Sequence, residues 1–102
     1  MVIAQRVAEH VMRPTRFGSK VLLRVDLHGV SRLGPGDART LIRWEWIESI
    51  AVSGGVVVRS ATEEVVLPSG AFGVDCDALV EELENARSIQ HRADVIGRLA
   101  GG

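Results

Sequence analysis

Hydrophobic and polar residues alternate with a period of two through the middle of the chain, which predicts short β-strands with one buried face. The clearest strand begins at Lys20, where Leu23, Val25 and Leu27 alternate with charged or polar neighbours. Glycine-rich segments interrupt the alternation where tight turns are expected. Further apolar segments lie at 30–33, 40–44, 47–52, 56–59 and 64–67, with turn signals at Gly29, 34–37, 53–55 and 61–63. We therefore expect a β-rich body over residues 20–74.

The segment 75–99 has the spacing of an amphipathic helix. Asp75 is suited to cap its N-terminus, and Asp77 suits the positive end of the helix dipole. Polar residues weaken the apolar stripe between Ser88 and Arg92, where a bend or break is plausible. The stripe runs at spacings of three and four through Leu79, Leu83, Ala86, Ile89 or Gln90, Ala93 and Ile96. We expect one long helix that closes the body.

Residues 1–19 are predicted to form an N-terminal helix or strand followed by a loop. Ile3, Val7 and Val11 lie four apart, on one face of a helix that Pro14 would end. A strand is the alternative, because valine and isoleucine favour strands and the segment is short. The pattern leaves both structures open.

The composition is that of one folded domain. The chain has 102 residues, of which 46% are hydrophobic and 25% are charged. No apolar stretch approaches the roughly 20 residues that a helix needs to cross a bilayer. Residues 1–13 also lack the apolar centre of a secretory signal. We expect a single domain over residues 1–102 that stays in the cytoplasm.

A run of short antiparallel strands followed by one amphipathic helix suits a β roll or an open barrel that the helix closes. Several motifs stand in this order: Asp26-Leu27-His28-Gly29-Val30, then Ile42-Arg43-Trp44-Glu45-Trp46-Ile47 and Ile50, then Val65-Val66-Leu67-Pro68 and Phe72. The pattern resembles that of bacterial PH-like (pleckstrin-homology-like) domains over roughly residues 20–90. The resemblance implies an α+β fold: an antiparallel roll or open barrel of about six to seven strands with a long C-terminal closing helix. It also implies a binding role, and some such domains assemble into oligomers.

No arrangement of residues that supports catalysis or cofactor binding stands in the sequence. His10, His28 and His91 are isolated from one another, which disfavours a metal site. A Gly-x-Ser-x-Gly nucleophile motif is absent, and the glycine-rich turns lack the lysine of a phosphate loop. Cys76 stands alone between two aspartates, and its expected role is that of a small, partly buried side chain. We therefore expect a non-catalytic protein without a cofactor or a metal.

Charge is divided unevenly along the chain. Residues 1–60 carry nine basic and five acidic side chains, whereas residues 61–102 carry three and eight. Such asymmetry favours electrostatically guided association with a protein partner, and a basic patch is the candidate contact surface. The same patch supports an alternative function, the binding of anionic lipid headgroups at a membrane surface. Nucleic acid is not expected, because the net charge is −1 and basic and aromatic residues do not interleave. The candidate contact residues are Arg13, Arg16, Lys20, Arg39, Arg43 and Trp46.

Trp44 and Trp46 lie two residues apart, so an extended strand would place both on one face. Burial tendencies favour two core aromatics. An exposed Trp46 would instead favour contact with a ligand or partner.

Self-association is predicted from the end of the closing helix. A helix that runs beyond the body leaves Ile89, Ile96 and Leu99 without intramolecular neighbours, and association would bury them. The function that the sequence favours is therefore a non-catalytic interaction module that acts through protein contacts, including contacts with its own copies.

Overall fold

The computed structural model describes residues 7–12, 21–34 and 39–101. Over these residues the chain forms seven strands and then two helices. The strands are β1 Val7–Met12, β2 Val21–Asp26, β3 Gly29–Leu33, β4 Arg39–Arg43, β5 Ser49–Val52, β6 Val56–Arg59 and β7 Glu64–Leu67; the helices are α1 Cys76–Ala86 and α2 Ile89–Gly101. Short 3-10 turns occupy Trp44–Trp46 and Ala71–Gly73.

The strands form two antiparallel sheets. Strands β1 to β4 pair in chain order in one sheet, and β5 to β7 pair in chain order in the other. All five pairings between neighbouring strands are antiparallel. The chain is therefore an antiparallel α+β protein, as predicted, and its two sheets do not close into a barrel.

One hydrophobic core joins both sheets to both helices. The alternation in β2 is confirmed, because Leu23 and Val25 are fully buried while Leu22, Arg24 and Asp26 are half-exposed. Leu79 and Leu83 of α1 and Ile96 of α2 enter the same core. The helices thus cover the body by burying apolar side chains that the sheets alone would leave in water.

The N-terminal segment is a strand where the structure describes it, so the helical alternative is wrong for residues 7–12. Strand β1 pairs with β2 along its whole length, from Val7 opposite Asp26 to Met12 opposite Val21. Hydrogen bonding to β2 and the burial of one face of the strand outweigh the weak helical spacing of this short, valine-rich segment. Ile3 and Pro14 lie outside the described residues.

The prediction of one long closing helix is wrong, because the helix ends at Ala86 and a second helix begins at Ile89. The break lies at Arg87 and Ser88, at the edge of the weak stretch of the apolar stripe. It shifts the helical register, so that α2 buries Val95 and Leu99 together with Ile96, whereas Ala93 of the predicted stripe is exposed. Helix α2 packs against α1, and it also contacts β1 and the Ala71–Gly73 turn.

This arrangement overturns the reason for predicting self-association through the helix end. Ile96 is 0% exposed and Leu99 is 5% exposed, because α2 folds back onto the body instead of extending past it. Ile89 is 78% exposed at the start of α2. Of the three residues, Ile89 alone is open to a partner. Neither helix in the described part of the chain has the length and apolar character needed to cross a bilayer.

Candidate functional site

Trp44 anchors the turn that follows β4. Its indole is 2% exposed, and its Nε1 donates a hydrogen bond of 2.8 Å to the carbonyl oxygen of Asp26. Its backbone N–H donates to the carbonyl of His28 at 3.3 Å. The guanidinium carbon of Arg92 lies 5.0 Å from the centre of the indole, a cation–π distance. The turn is thereby fixed to the β2–β3 connection on one side and to α2 on the other.

Gly29 allows this anchoring because no side chain fits at its position. A Cβ on Gly29 would lie 2.1 Å from the carbonyl oxygen of Ile42, on the neighbouring strand β4. The carboxylate of Asp26 caps the same turn, since its Oδ1 accepts from the backbone N–H groups of His28 at 2.8 Å and Gly29 at 3.1 Å. The first two motifs of the PH-like pattern therefore meet at this point and have a structural role.

Trp46 does not share the core position of Trp44. The two residues lie in a 3-10 turn instead of an extended strand and Trp46 is exposed, so the expectation of two core aromatics is wrong. Trp46 is 55% exposed and borders a groove of about 420 Å³. The groove lies between the segment 45–48 and the β6–β7 turn. Its lining residues are Leu41, Glu45, Trp46, Ile47, Glu48, Ser60, Ala61, Thr62 and Glu63.

The far wall of the groove is a hydrogen-bonded turn. The backbone N–H of Ser60 donates to the carbonyl of Glu63 at 2.9 Å, and the Ser60 hydroxyl oxygen accepts from the N–H of Glu63 at 3.0 Å. The floor is formed by Ile47, which is buried. The backbone N–H of Glu48 donates to the carbonyl of Arg59 at 2.7 Å, which ties the near wall to the second sheet. Both walls are thus held by the backbone.

The groove is acidic. Glu45, Glu48 and Glu63 line it, and none of the described residues in the lining is basic. A hydrogen bond from its own backbone N–H, followed by one from Arg43, lowers the pKa of the Glu45 carboxyl below its ordinary value. Arg43 Nε lies 2.9 Å from Glu45 Oε1, and its guanidinium carbon lies 5.6 Å from the centre of the Trp46 ring.

The structure brings two of the six candidate contact residues together, namely Arg43 and Trp46. Arg39 is exposed on the same strand as Arg43, four residues before it. The other three, Arg13, Arg16 and Lys20, lie outside the described residues. The described part of the basic patch therefore consists of Arg39 and of Arg43, whose charge is already paired with a carboxylate.

Sequence reasoning missed the three glutamates. Glu63 was correctly predicted to lie in a turn, but its neighbour Glu64 pairs with Arg59 at 2.8 Å while Glu63 faces the groove. Glu45 and Glu48 flank Trp46 in the sequence, and that flanking was the available signal. The sequence pattern does not show that the β6–β7 turn of the second sheet lies opposite the segment 45–48, which follows the last strand of the first sheet.

The side chain of His10 accepts a hydrogen bond within the fold, and that of Cys76 packs against the core. His10 Nδ1 accepts a hydrogen bond of 3.3 Å from the backbone N–H of Phe72, a residue held at a left-handed φ of 58°. Cys76 is half-buried as predicted, just after Asp75, whose carboxylate caps α1 by accepting from the N–H of Ala78 at 2.7 Å. Among the described residues, no group of three or more His, Cys, Asp or Glu side chains could hold a metal ion.

The candidate site is therefore defined by geometry: an exposed tryptophan, two backbone-fixed walls and three carboxylates. Neither a scan against protein-family models nor searches of curated proteins and of solved structures found a match to this chain.

Proposed function

We propose that this chain is a non-catalytic, PH-like binding module that acts through protein contacts, with the Trp46 groove as its contact surface. The observation that carries the proposal is the exposure of Trp46 beside a groove of about 420 Å³ with fixed walls. A large aromatic side chain left in water costs stability that a partner would recover by covering it. Tryptophan is also among the residues most enriched at the energetic centres of protein interfaces.

The PH-like part of the proposal is supported by the order of elements. Four antiparallel strands are followed by three more and then by C-terminal helices, which fits the roll that the resemblance implies. Gly29, Trp44, Ile47 and Leu67, which carry the resemblance, are all buried. A shared pattern of buried residues is what a shared fold would require.

Anionic lipid headgroups suit the groove poorly, because its three glutamates repel them. Arg43, which the lipid alternative needs, is paired with Glu45 and stacked on Trp46. The geometry therefore favours a protein contact over a lipid contact.

Self-association is a second part of the proposal and now rests on charge alone. The N-terminal part of the chain is basic in sum and the C-terminal part is acidic, so two copies can attract each other. Light scattering coupled to size exclusion at low and high salt tests it: we expect a dimer or larger species that dissociates as salt rises. A monomer at every salt concentration would remove this part and leave the groove proposal intact.

Site-specific photo-crosslinking tests the contact surface. A benzophenone amino acid placed at Thr62, inside the groove, is expected to give adducts of discrete mass with proteins of the source cell. The same probe at Val52, which is 50% exposed and outside the groove, is the matched control. The Thr62 adducts should disappear when Trp46→Ala is added.

Equal adducts at the two positions, or Thr62 adducts that survive Trp46→Ala, would contradict the proposal. Sedimentation with vesicles of anionic lipid tests the lipid alternative. Binding to these vesicles that is lost on replacing Arg39 and Arg43, but is unchanged on replacing Trp46, would establish that alternative instead.

A further inference from the structure

We propose that the Trp46 groove binds a cationic side chain, arginine or lysine, of an extended polypeptide segment in the partner protein. The inference rests on the proposed function and names the chemistry of what the groove accepts. It depends on three features of the described residues: three carboxylates that line the groove, an exposed aromatic ring, and an internal cation that pairs with one of the carboxylates and lies over the ring.

The carboxylates come from separate places in the fold. Glu45 lies in the 3-10 turn, Glu48 lies just before β5, and Glu63 lies in the β6–β7 turn. Glu48 and Glu63 make no ion pair with any residue that the structure describes. A cation in the groove would therefore meet negative charge on both walls that is not already neutralised.

The ring of Trp46 offers a second contact to the same cation. Tryptophan has the strongest cation–π attraction of the aromatic side chains, and a guanidinium also stacks well on its plane. Arg43 shows this chemistry within the molecule, since its guanidinium lies over the ring and bonds to Glu45 at 2.9 Å. Arg43 makes two of the contacts that we assign to the incoming side chain, and it is therefore a competitor for them.

The size and lining of the groove favour a polypeptide over a small free cation. A volume of about 420 Å³ exceeds what one guanidinium or ammonium group fills. Leu41 and Ile47 add apolar surface beside the carboxylates, which suits the methylene stem of a long cationic side chain. Residues on either side of that side chain would cover the remaining length of the groove.

A pair of peptides tests the charge requirement. The probes are Ac-Gly-Arg-Gly-Arg-Gly-amide and the same peptide with citrulline, which keeps the shape of arginine without its charge. Nuclear magnetic resonance titration of the whole labelled chain follows the Trp46 indole N–H and the Thr62 amide. We expect the arginine peptide to shift both signals and to bind at least about tenfold more tightly than the citrulline peptide.

Variants of the chain test the site. Trp46→Ala and the double variant Glu48→Gln with Glu63→Gln are expected to weaken binding of the arginine peptide by about tenfold or more. The matched control is Glu81→Gln with Asp94→Asn, which removes the same charge from exposed helix positions and should change affinity less than about twofold. Dispersion of the amide spectrum shows that each variant is folded.

Equal binding of the two peptides would overturn the inference, and so would equal losses in the groove and control double variants. An absence of shifts at Trp46 and Thr62 would overturn it as well. If Thr62 still crosslinks proteins while the peptides show no preference for arginine, the ligand class is wrong and the proposed function stands. If neither crosslinks nor peptide binding occur, both are wrong.

Discussion

At the scale of single residues, two tryptophans that are two positions apart have different roles. Trp44 is buried and holds the end of β2 through its indole N–H, whereas Trp46 stands in water beside the groove. Spacing alone predicted one shared face, because it assumes an extended chain. The 3-10 turn that separates the rings depends on contacts with the distant Asp26 and His28, which no local pattern encodes.

Acrylamide quenching of fluorescence tests this difference between the tryptophans. In a Trp44→Phe variant the remaining Trp46 should be quenched readily and emit at long wavelength, because its ring is in water. In a Trp46→Phe variant the remaining Trp44 should be protected. Trp44→Phe should also lower the free energy of unfolding by about 1 to 3 kcal/mol through the lost hydrogen bond and packing, while Trp46→Phe should cost less than about 0.5 kcal/mol. Equal quenching of the two rings would contradict the structure.

Gly29→Ala is expected to lower the free energy of unfolding by about 2 to 4 kcal/mol, because its methyl group would collide with the backbone of Ile42. Urea denaturation measures the change. Gly97→Ala is the matched control, since nothing lies within 4 Å of the added Cβ in α2. That substitution should raise stability by about 0.5 to 1 kcal/mol. A neutral Gly29→Ala would show that β3 and β4 do not approach as described.

At the scale of elements, the sequence predicted best where two signals agreed. Strands β6 and β7 lie at the predicted residues, because both are short apolar runs, Gly55 precedes β6 and Pro68 follows β7. The start of α1 was also predictable, since its Asp75 cap is local. The weak stripe between Ser88 and Arg92 indicated a bend or break, and the break lies at its edge, at Arg87 and Ser88. Only the packing of α2 against β1 shows that the stripe changes phase.

Arg92 stabilises the break between the helices and links it to Trp44, which anchors the turn before the groove. Its guanidinium donates to the carbonyls of Ala86 at 2.8 Å and Arg87 at 3.1 Å while lying on the Trp44 ring. These carbonyls are the unpaired groups at the end of α1, so Arg92 supplies the hydrogen bonds that the helix lacks. Partial burial lowers the pKa of this guanidinium, which nevertheless stays charged at neutral pH.

Replacing Arg92 by methionine should lower the free energy of unfolding by about 1 to 3 kcal/mol, because two carbonyls and one ring lose a charged partner. Lysine should restore less than half of that loss, since an ammonium cannot reproduce the planar fork and the stacking. Urea denaturation gives the free energies, and near-ultraviolet circular dichroism reports the environment of Trp44. Full rescue by lysine would mean that only the charge of Arg92 matters.

At the scale of the whole molecule, a charge sum along the sequence does not give the sign of the charge at one particular groove. Residues 1–60 are basic in sum, yet Glu45 and Glu48 from this part line the same groove as Glu63. A sum over a segment ignores which side chains face each other. The net charge of a segment was predictable from the sequence, and the sign of the field at Trp46 was not.

Affinity for the arginine peptide should fall on acidification. The carboxylate form of Glu45 binds the cation, so protonation of Glu45 competes with the peptide and affinity falls as the pH falls through the pKa of this group. The pKa of Glu45 is lowered by its backbone N–H and by Arg43, with a smaller contribution from Arg92, so Glu45 keeps its charge below its ordinary pKa of 4.5. We expect constant affinity between about pH 8 and 5 and a loss that begins only below the ordinary value of 4.5, as Glu45 is protonated. Affinity that is still unchanged at about pH 3, with the chain folded, would contradict an ionic site.

The most direct test of the account is the sign of the change when Arg43 is replaced by glutamine. If Arg43 competes with an incoming cation at Trp46 and Glu45, Arg43→Gln should raise the affinity for the arginine peptide by about two- to fivefold. If Arg43 belongs instead to a basic contact patch, Arg43→Gln should weaken binding to anionic vesicles and should not improve binding of the arginine peptide. Titration of the wild-type chain and of Arg43→Gln under the same conditions decides between them: tighter binding of the arginine peptide supports the acidic Trp46 groove, and weaker binding contradicts it.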